Sequence, residues 1–416
     1  MSRSYTGALV LLVCGVFFES ANAQCPPRPQ PNTVLHDAPS ILSQNGVLTA
    51  EFVMGHSVDT LGYTHYCYKY TEPAGIEVEA PTLRLNPGDQ LMLKVKDRIT
   101  GDGQQSTSGM DMSPPMGANC GDSGTATINS TNVHFHGLNV PPICHQDDVI
   151  TTLIQPATPG FQYSLQIPPT EPPGLYWYHP HVHGFTEFQV NGGAAGALIV
   201  EGMEKVRPEV TGLPERVFTI RQQYLVPWVP GPYELTVNFE NAGMVQGPIP
   251  QILMKPGEKQ FWRVLNASIQ DFMPLQVWFN TVPQPMQLIA LDGYPLSQTR
   301  LETTILVPPA GRAEFIVQAP PVGTSALFMT TAYSTGPTGN ADLQIPLAEM
   351  VLSGAGSQAE EPKQAVPAKV SADHMKFTGL KDAIVNTQRK LYFSEEFGGT
   401  NGPIQFYITV DGQKQQ

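Results

Sequence analysis

Two short segments concentrate the residues able to do chemistry. In Gly174-Leu175-Tyr176-Trp177-Tyr178-His179-Pro180-His181-Val182-His183-Gly184 three histidines alternate, and His134-Phe135-His136-Gly137 carries an alternating pair. Together they hold five of the chain's 10 histidines. Strand side chains repeat with period two, so alternating imidazoles on one strand end start on the same face. A purely imidazole set suits copper, zinc, iron or nickel. A lone histidine in an apolar strand is more often a satisfied core residue. Paired His-X-His segments flanked by Trp177, Gly137 and Gly184 are far more specific. His36, His56 and His65 have no neighbour at ligand spacing and read as surface or core residues.

The elements that position these histidines read as short strands. Pro (40) and Gly (38) are abundant and only 14% of residues are charged, which favours many strands joined by turns. Asn132 to Val140 and Tyr176 to His183 carry the clusters, with Phe161 to Ile167 between them. Val190 to Val200 begins with small residues, which let another backbone approach, and ends as an apolar strand. Upstream, Val47 to Val53 and Tyr63 to Tyr70 are candidate strands, and Leu83 to Asp97 reads strand, turn, strand around Pro87-Gly88-Asp89. Lys255-Pro256-Gly257-Glu258, followed by Gln260 to Ala267, repeats that pattern. Asp292-Gly293 is a hairpin-type turn, and Pro308 to Arg312 introduces a further strand. The weak repeat at domain length predicts an all-β chain built by duplicating a β-sandwich. Residues 24–203 form the first sandwich with an N-terminal arm, and 204–352 the second. Residues 353–390 are a polar linker, and 391–416 the opening strands of a third unit. The second sandwich has no histidine and reads as a spacer.

Residues 1–23 have the layout of an export signal: Arg3, the apolar run Ala8 to Phe18, and Ala21-Asn22-Ala23 before Gln24. A periplasmic or extracellular protein is expected, with no membrane span in the mature chain. Cys14 leaves with the signal, and Cys25, Cys67, Cys120 and Cys144 remain. An even count in an oxidising compartment predicts two disulfides. Of three connectivities, Cys25–Cys67 with Cys120–Cys144 is favoured, since each closes a loop within the first sandwich. Cys144-His145 is not followed by a second histidine at ligand spacing, so a Cys-His metal pair is disfavoured. Net charge −13 repels a phosphate backbone and argues against nucleic acid. Met110, Met112 and Met116 lie in a Gly/Ser-rich loop, where thioethers suit Cu(I) but are more often incidental.

The two histidine segments resemble the N-terminal copper motifs of the multicopper oxidases, the family of laccases, bilirubin oxidases and bacterial cuprous oxidases. Lys255 to Glu258, Trp262-Arg263, Leu291 to Gly293 and Pro308 to Arg312 resemble that family's middle domain. The resemblance covers most of residues 80–320. It implies tandem cupredoxin-like Greek-key β-sandwiches. It also implies a type 1 copper that takes single electrons from a donor substrate, and a trinuclear cluster that reduces dioxygen to water. By position, His134 would hold type 2 copper, His136 and His179 one type 3 copper, and His181 the other. His183 would support them from behind. Asp147 or Asp148 stands at the spacing of the family's proton-delivering acid, where an ordinary loop charge is equally expected.

The resemblance also implies ligands that are not in these residues. The family's last domain carries a His-Cys-His segment for type 1 copper, yet after His183 this sequence has one histidine, His374, and no cysteine. Half of the trinuclear ligands and no type 1 motif are therefore expected. Three explanations stand: a fragment cut early in the third domain, which the break in a strand-turn pattern at Asp411-Gly412 favours; a missing domain supplied by another chain; or a genuine short product. The alternative in another class is a non-enzymatic copper-binding cupredoxin-type protein. The electron donor is open among phenols, aromatic amines, pigments and metal ions.

Overall fold

Alternation along the strands builds the first sandwich. The computed structural model describes residues 24–29, 34–58, 64–100, 120–224, 233–242, 249–336, 341–353, 380–397 and 404–413. The export signal, the methionine loop and His374 lie outside the described residues. Strands β1 (Ser40–Leu42), β2 (Val47–Val58), β3 (Thr64–Thr71), β4 (Glu77–Glu79), β5 (Thr82–Leu85) and β6 (Gln90–Asp97) come first. Then follow β7 (Cys120–Gly121), β8 (His134–His136), β9 (Thr152–Leu153), β10 (Phe161–Gln166), β11 (Gly174–His179), helix α1 (Thr186–Asn191) and β12 (Gly196–Val200). One sheet runs β1-β5-β12-β11-β8 and the other β10-β6-β2-β3-β4. Leu48, Phe52, Leu91, Leu93, Tyr163 and Tyr178 meet between them. The alternating residues of β2 and β6 face solvent or the rim, as a half-buried sheet requires.

The fold is all-β, a tandem of cupredoxin-like Greek-key sandwiches. The second sandwich has a seven-stranded sheet, including Glu215–Tyr224, Lys259–Asn266 and Arg312–Gln318, and a six-stranded sheet, including Gln251–Met254 and Met273–Phe279. Trp262, Phe218, Phe315 and Phe328 fill its core. The repeated Pro-Gly-acid turn does the same job in both copies. Asn86 N–H donates to Asp89 at 2.8 Å, and Lys255 N–H donates to Glu258 at 3.0 Å. In each copy the turn carries the chain from one sheet to the other, rather than closing a hairpin. Asp292-Gly293 does close a two-residue hairpin, with φ of 50° and 76°.

Three strands are shorter than the sequence predicts. The strand expected over Tyr176 to His183 stops at His179, because Pro180 has no N–H for the ladder. The strand expected over Asn132 to Val140 is only His134–His136, and Gly137 turns away at φ 93°. The small residues at the head of Val190 to Val200 belong to the end of α1 and the turn after it.

Strands β5, β11 and β12 are buried on both faces. Their outer side is covered by the second sandwich: Leu175, Trp177, Ala197 and Ile199 pack on Val217, Leu265 and Ala267. Buried ions tie the same junction. Arg84 pairs with Glu201 at 2.7 Å and with Glu215, and Arg263 pairs with Glu215 at 2.8 Å and with Glu314. The N-terminal arm also reaches the second sandwich: Leu35 joins the second core, and Asp37 pairs with Arg216 at 3.1 Å. Disulfides join Cys25 to Cys67 and Cys120 to Cys144. Residues 375–416 form a separate unit, in which Leu391–Phe397 and Ile404–Val410 pair as an antiparallel hairpin. No helix among the described residues is long and apolar enough to cross a membrane.

Candidate metal centre

Antiparallel pairing of β8 with β11 brings the two clusters together. Trp177 lies opposite His136 and His179 opposite His134, so these four side chains share one face while Phe135 and Tyr178 point into the first core. One ring nitrogen each from His134, His136 and His179 falls within 4.8 Å of the others. His136 Nδ1 faces His179 Nε2 at 3.3 Å. That is the separation of two imidazole nitrogens sharing one tetrahedral ion at about 2 Å each. The His181 ring stands 5.3 Å from that of His134 and 5.9 Å from that of His179, on the turn beyond the strand.

Local bonds set which nitrogen each ring presents. His179 Nδ1 donates to Pro180 O at 2.8 Å, leaving Nε2 as its donor to a metal. His134 Nδ1 donates to Asp147 Oδ1 at 3.0 Å, with the same result. Asp147 Oδ1 also accepts from Phe135 N–H at 2.9 Å, so one carboxylate braces the ring and the strand that bears it. Asp148 is engaged elsewhere: it accepts from Thr151 N–H at 3.0 Å and from the Thr151 hydroxyl. The indole of Trp177 stacks on His179 with centroids 4.0 Å apart, and lies 5.0 Å from the His136 ring.

Electrostatics keep the rings of His136, His179 and His181 neutral, the form that binds metal. Burial, then the Arg312 cation and the neighbouring imidazoles, hold His136 down at about 3. Burial and the surrounding histidines push His179 well below its ordinary value, and His181 is lowered for the same reasons.

The structure thus gathers His134, His136 and His179, with His181 adjacent. His183 is exposed on the same turn, two residues beyond His181. His145 is apart from the cluster, stacked on Phe161 at 4.8 Å. Sequence reasoning missed Asn132. Its buried amide accepts from His181 N–H at 2.7 Å and donates to Val149 O and Thr152 O, fastening the turn of His181 to the acid-bearing loop. Its place two residues before the first His-X-His was the available signal.

Residues 125–205 match the family model described as Multicopper oxidase. These residues form a multicopper oxidase domain. Among curated proteins, an iron transport multicopper oxidase (FET3) of Gibberella zeae is 28% identical over 200 residues, 45% of this chain and 30% of the relative. The chain therefore matches under a third of that relative's length. Among solved structures, McoA multicopper oxidase of Aquifex aeolicus aligns with TM-score 0.56 and 15% identity, over 80% of this chain and 68% of that one. A multicopper oxidase of Campylobacter jejuni, described as a metallo-oxidase, aligns with TM-score 0.53 and 19% identity, over 86% and 71%. At such identities these two show the shared fold. A multicopper oxidase domain implies copper, and an all-nitrogen set of imidazoles fits that ion.

Proposed function

We propose that this protein is a copper-dependent oxidoreductase of the multicopper oxidase type, coupling one-electron oxidation of a donor substrate to reduction of dioxygen to water. The observation that carries the reading is the His134, His136, His179 cluster, with donor nitrogens within 4.8 Å and ring orientations set by Asp147 and Pro180 O. In this reading His134 holds type 2 copper, His136 and His179 one type 3 copper, and His181 the other. Bound copper supplies the one-electron steps to dioxygen. The chain's own contribution is to hold the imidazoles of His136, His179 and His181 neutral, to orient those of His134 and His179, to wall the centre with Trp177, and to keep the proton-delivering acid, Asp147, at His134. Of the two candidate acids, the contact with His134 favours Asp147. His183 supports the turn of His181.

These 416 residues carry half of the trinuclear ligand set and no Cys-His motif for type 1 copper, so the chain by itself does not turn over. Export follows from the N-terminal signal and fits the two disulfides. The test is copper reconstitution of the full chain, followed by metal analysis, absorption spectra and an oxygen-consumption assay with a phenolic donor. Copper bound at the histidine cluster without an intense blue band and without turnover is expected. Turnover by the bare chain would refute the half-site reading. Failure to bind copper, with folding intact, would refute the copper reading. Copper binding that never supports oxidase activity, even with the remaining ligands supplied, would favour the non-enzymatic copper-binding alternative.

A further inference from the structure

Strand β11 has an incomplete edge. On one side it pairs with β12 from Gly174 to Tyr178, but on the other β8 reaches only from Trp177 to His179. Leu175 lies beyond that reach, and side chains of the second sandwich take the place of a strand. Its N–H donates to Glu314 Oε1 at 2.9 Å, and its carbonyl accepts from Arg312 Nε at 3.2 Å. Both residues lie on one strand, Arg312–Gln318.

Arg312 also touches the other metal-bearing strand. A Cβ added at Gly137, the residue after His136, would lie 2.5 Å from Arg312 Nη2, so the guanidinium is packed directly against that α-carbon. Its own placement is fixed: the Arg312 N–H donates to Asp292 Oδ1 at 2.9 Å, and Nη1 donates to Ala310 O at 3.0 Å. The hairpin turn beside it braces β11 again, since Tyr176 OH donates to Gly293 O at 3.0 Å. The planar fork thus bridges the strand end of His136 and the strand of His179, whose facing nitrogens are 3.3 Å apart.

We propose that Arg312 is a positioning residue for the metal centre: from the histidine-free second sandwich, it sets the offset between the ends of β8 and β11 and so the separation of His136 and His179. This rests on the copper reading above. An arginine is required because two contacts must be made from one rigid plane, and lysine has a single donor head.

The test uses the full chain with Cu(II), comparing wild type with Arg312→Met, Arg312→Lys and Arg216→Met. Arg216 pairs with Asp37, donates to Leu35 O and lies over Phe218 on the second sandwich's own core side, so it reports general destabilisation. Affinity by titration and the electron paramagnetic resonance of bound Cu(II) are read, with thermal melts alongside. Arg312→Met is expected to lose about 10–100-fold in affinity, as for other residues that orient ligands, and to change the nitrogen hyperfine pattern. Arg312→Lys, which keeps the charge and is the safer folder, should lose affinity by an intermediate factor. Arg216→Met should melt earlier with wild-type affinity and spectrum. Wild-type affinity and spectrum in a folded Arg312→Lys or Arg312→Met chain would overturn the proposal alone. So would equal losses in the Arg216→Met chain. A wild-type chain that takes up no copper would overturn the copper reading and this inference with it.

Discussion

Replacing Asp147 separates two things that one carboxylate oxygen does. Oδ1 accepts from His134 Nδ1 at 3.0 Å and from Phe135 N–H at 2.9 Å. In Asp147→Ala the Phe135 N–H, in a strand whose side chain is fully buried, loses its partner, at a cost of about 1–3 kcal/mol in stability. The His134 ring is also freed to rotate and to change tautomer. Loss of such an orienting partner costs about 10–100-fold in metal affinity, or about 1.4–2.8 kcal/mol. Asp147→Asn keeps one amide oxygen of the same shape, so it should retain most of the stability and lose affinity near the lower end of that range. Asp148→Ala removes only the bonds to Thr151, costing about 1 kcal/mol of local stability with copper affinity unchanged. Urea unfolding of the metal-free chain and copper titration of the folded chain read the two effects separately. Equal copper losses in Asp147→Ala and Asp148→Ala would refute the division of roles. So would an Asp147→Ala chain that binds copper as wild type does.

Two further outcomes concern stability. Asp97 faces the first core at the end of β6, fully buried; Oδ1 accepts from Ile99 N–H at 2.8 Å, and burial pushes its carboxyl up to about 8. The folded chain therefore holds this proton more tightly than the unfolded one, so stability should fall as pH rises from about 4 to about 8. Asp97→Asn should flatten that slope in melts taken across the range, and an unchanged slope would show that Asp97 does not cause it. In the second sandwich Trp262, fully buried and edge-on to Phe218 at 5.1 Å and Phe328 at 5.2 Å, anchors the core. Trp262→Ala should cost about 3–5 kcal/mol in denaturant unfolding. A loss below about 1 kcal/mol would mean that the core collapses to fill the space.

The all-β class and the pairing of the two clusters were legible because they depend on local signals. Period-two alternation in β2 and β6, the Pro-Gly-acid turns and the His-X-His spacing are each written within a few residues. What was not legible depends on partners far along the chain. Leu175 and Glu314 are 139 residues apart, and no local pattern announces their hydrogen bond. The choice between Asp147 and Asp148 likewise turns on which way the loop folds over β8, and Asn132 helps to decide that through bonds to Val149 and Thr152. Alternation also overran the strand ends. His181 and His183 continue the period past His179, but Pro180 stops the ladder, so their directions follow from a turn instead.

The second sandwich carries no histidine, and spacing alone would call it a separator. Its contacts argue for more. A strand that presents ligands on its outer face cannot also bury that face in its own core, so rigidity there must come from outside. β11 meets this by alternating between two cores: Tyr176 and Tyr178 pack into the first, while Leu175 and Trp177 pack against the second sandwich. His179, next in the outward series, is held against the Trp177 indole and remains 6% exposed. The junction is further tied by Arg84, Glu201, Glu215, Arg263 and Glu314, ions whose burial is costly unless all remain paired. Relative sliding of the sandwiches would break the Arg84–Glu215 pair, the one of these that crosses the junction, together with the Glu314 and Arg312 bonds to Leu175. The histidine spacing is thereby coupled to the domain junction, and a change that loosens the junction at Arg312 should register at the metal centre before it registers in the fold.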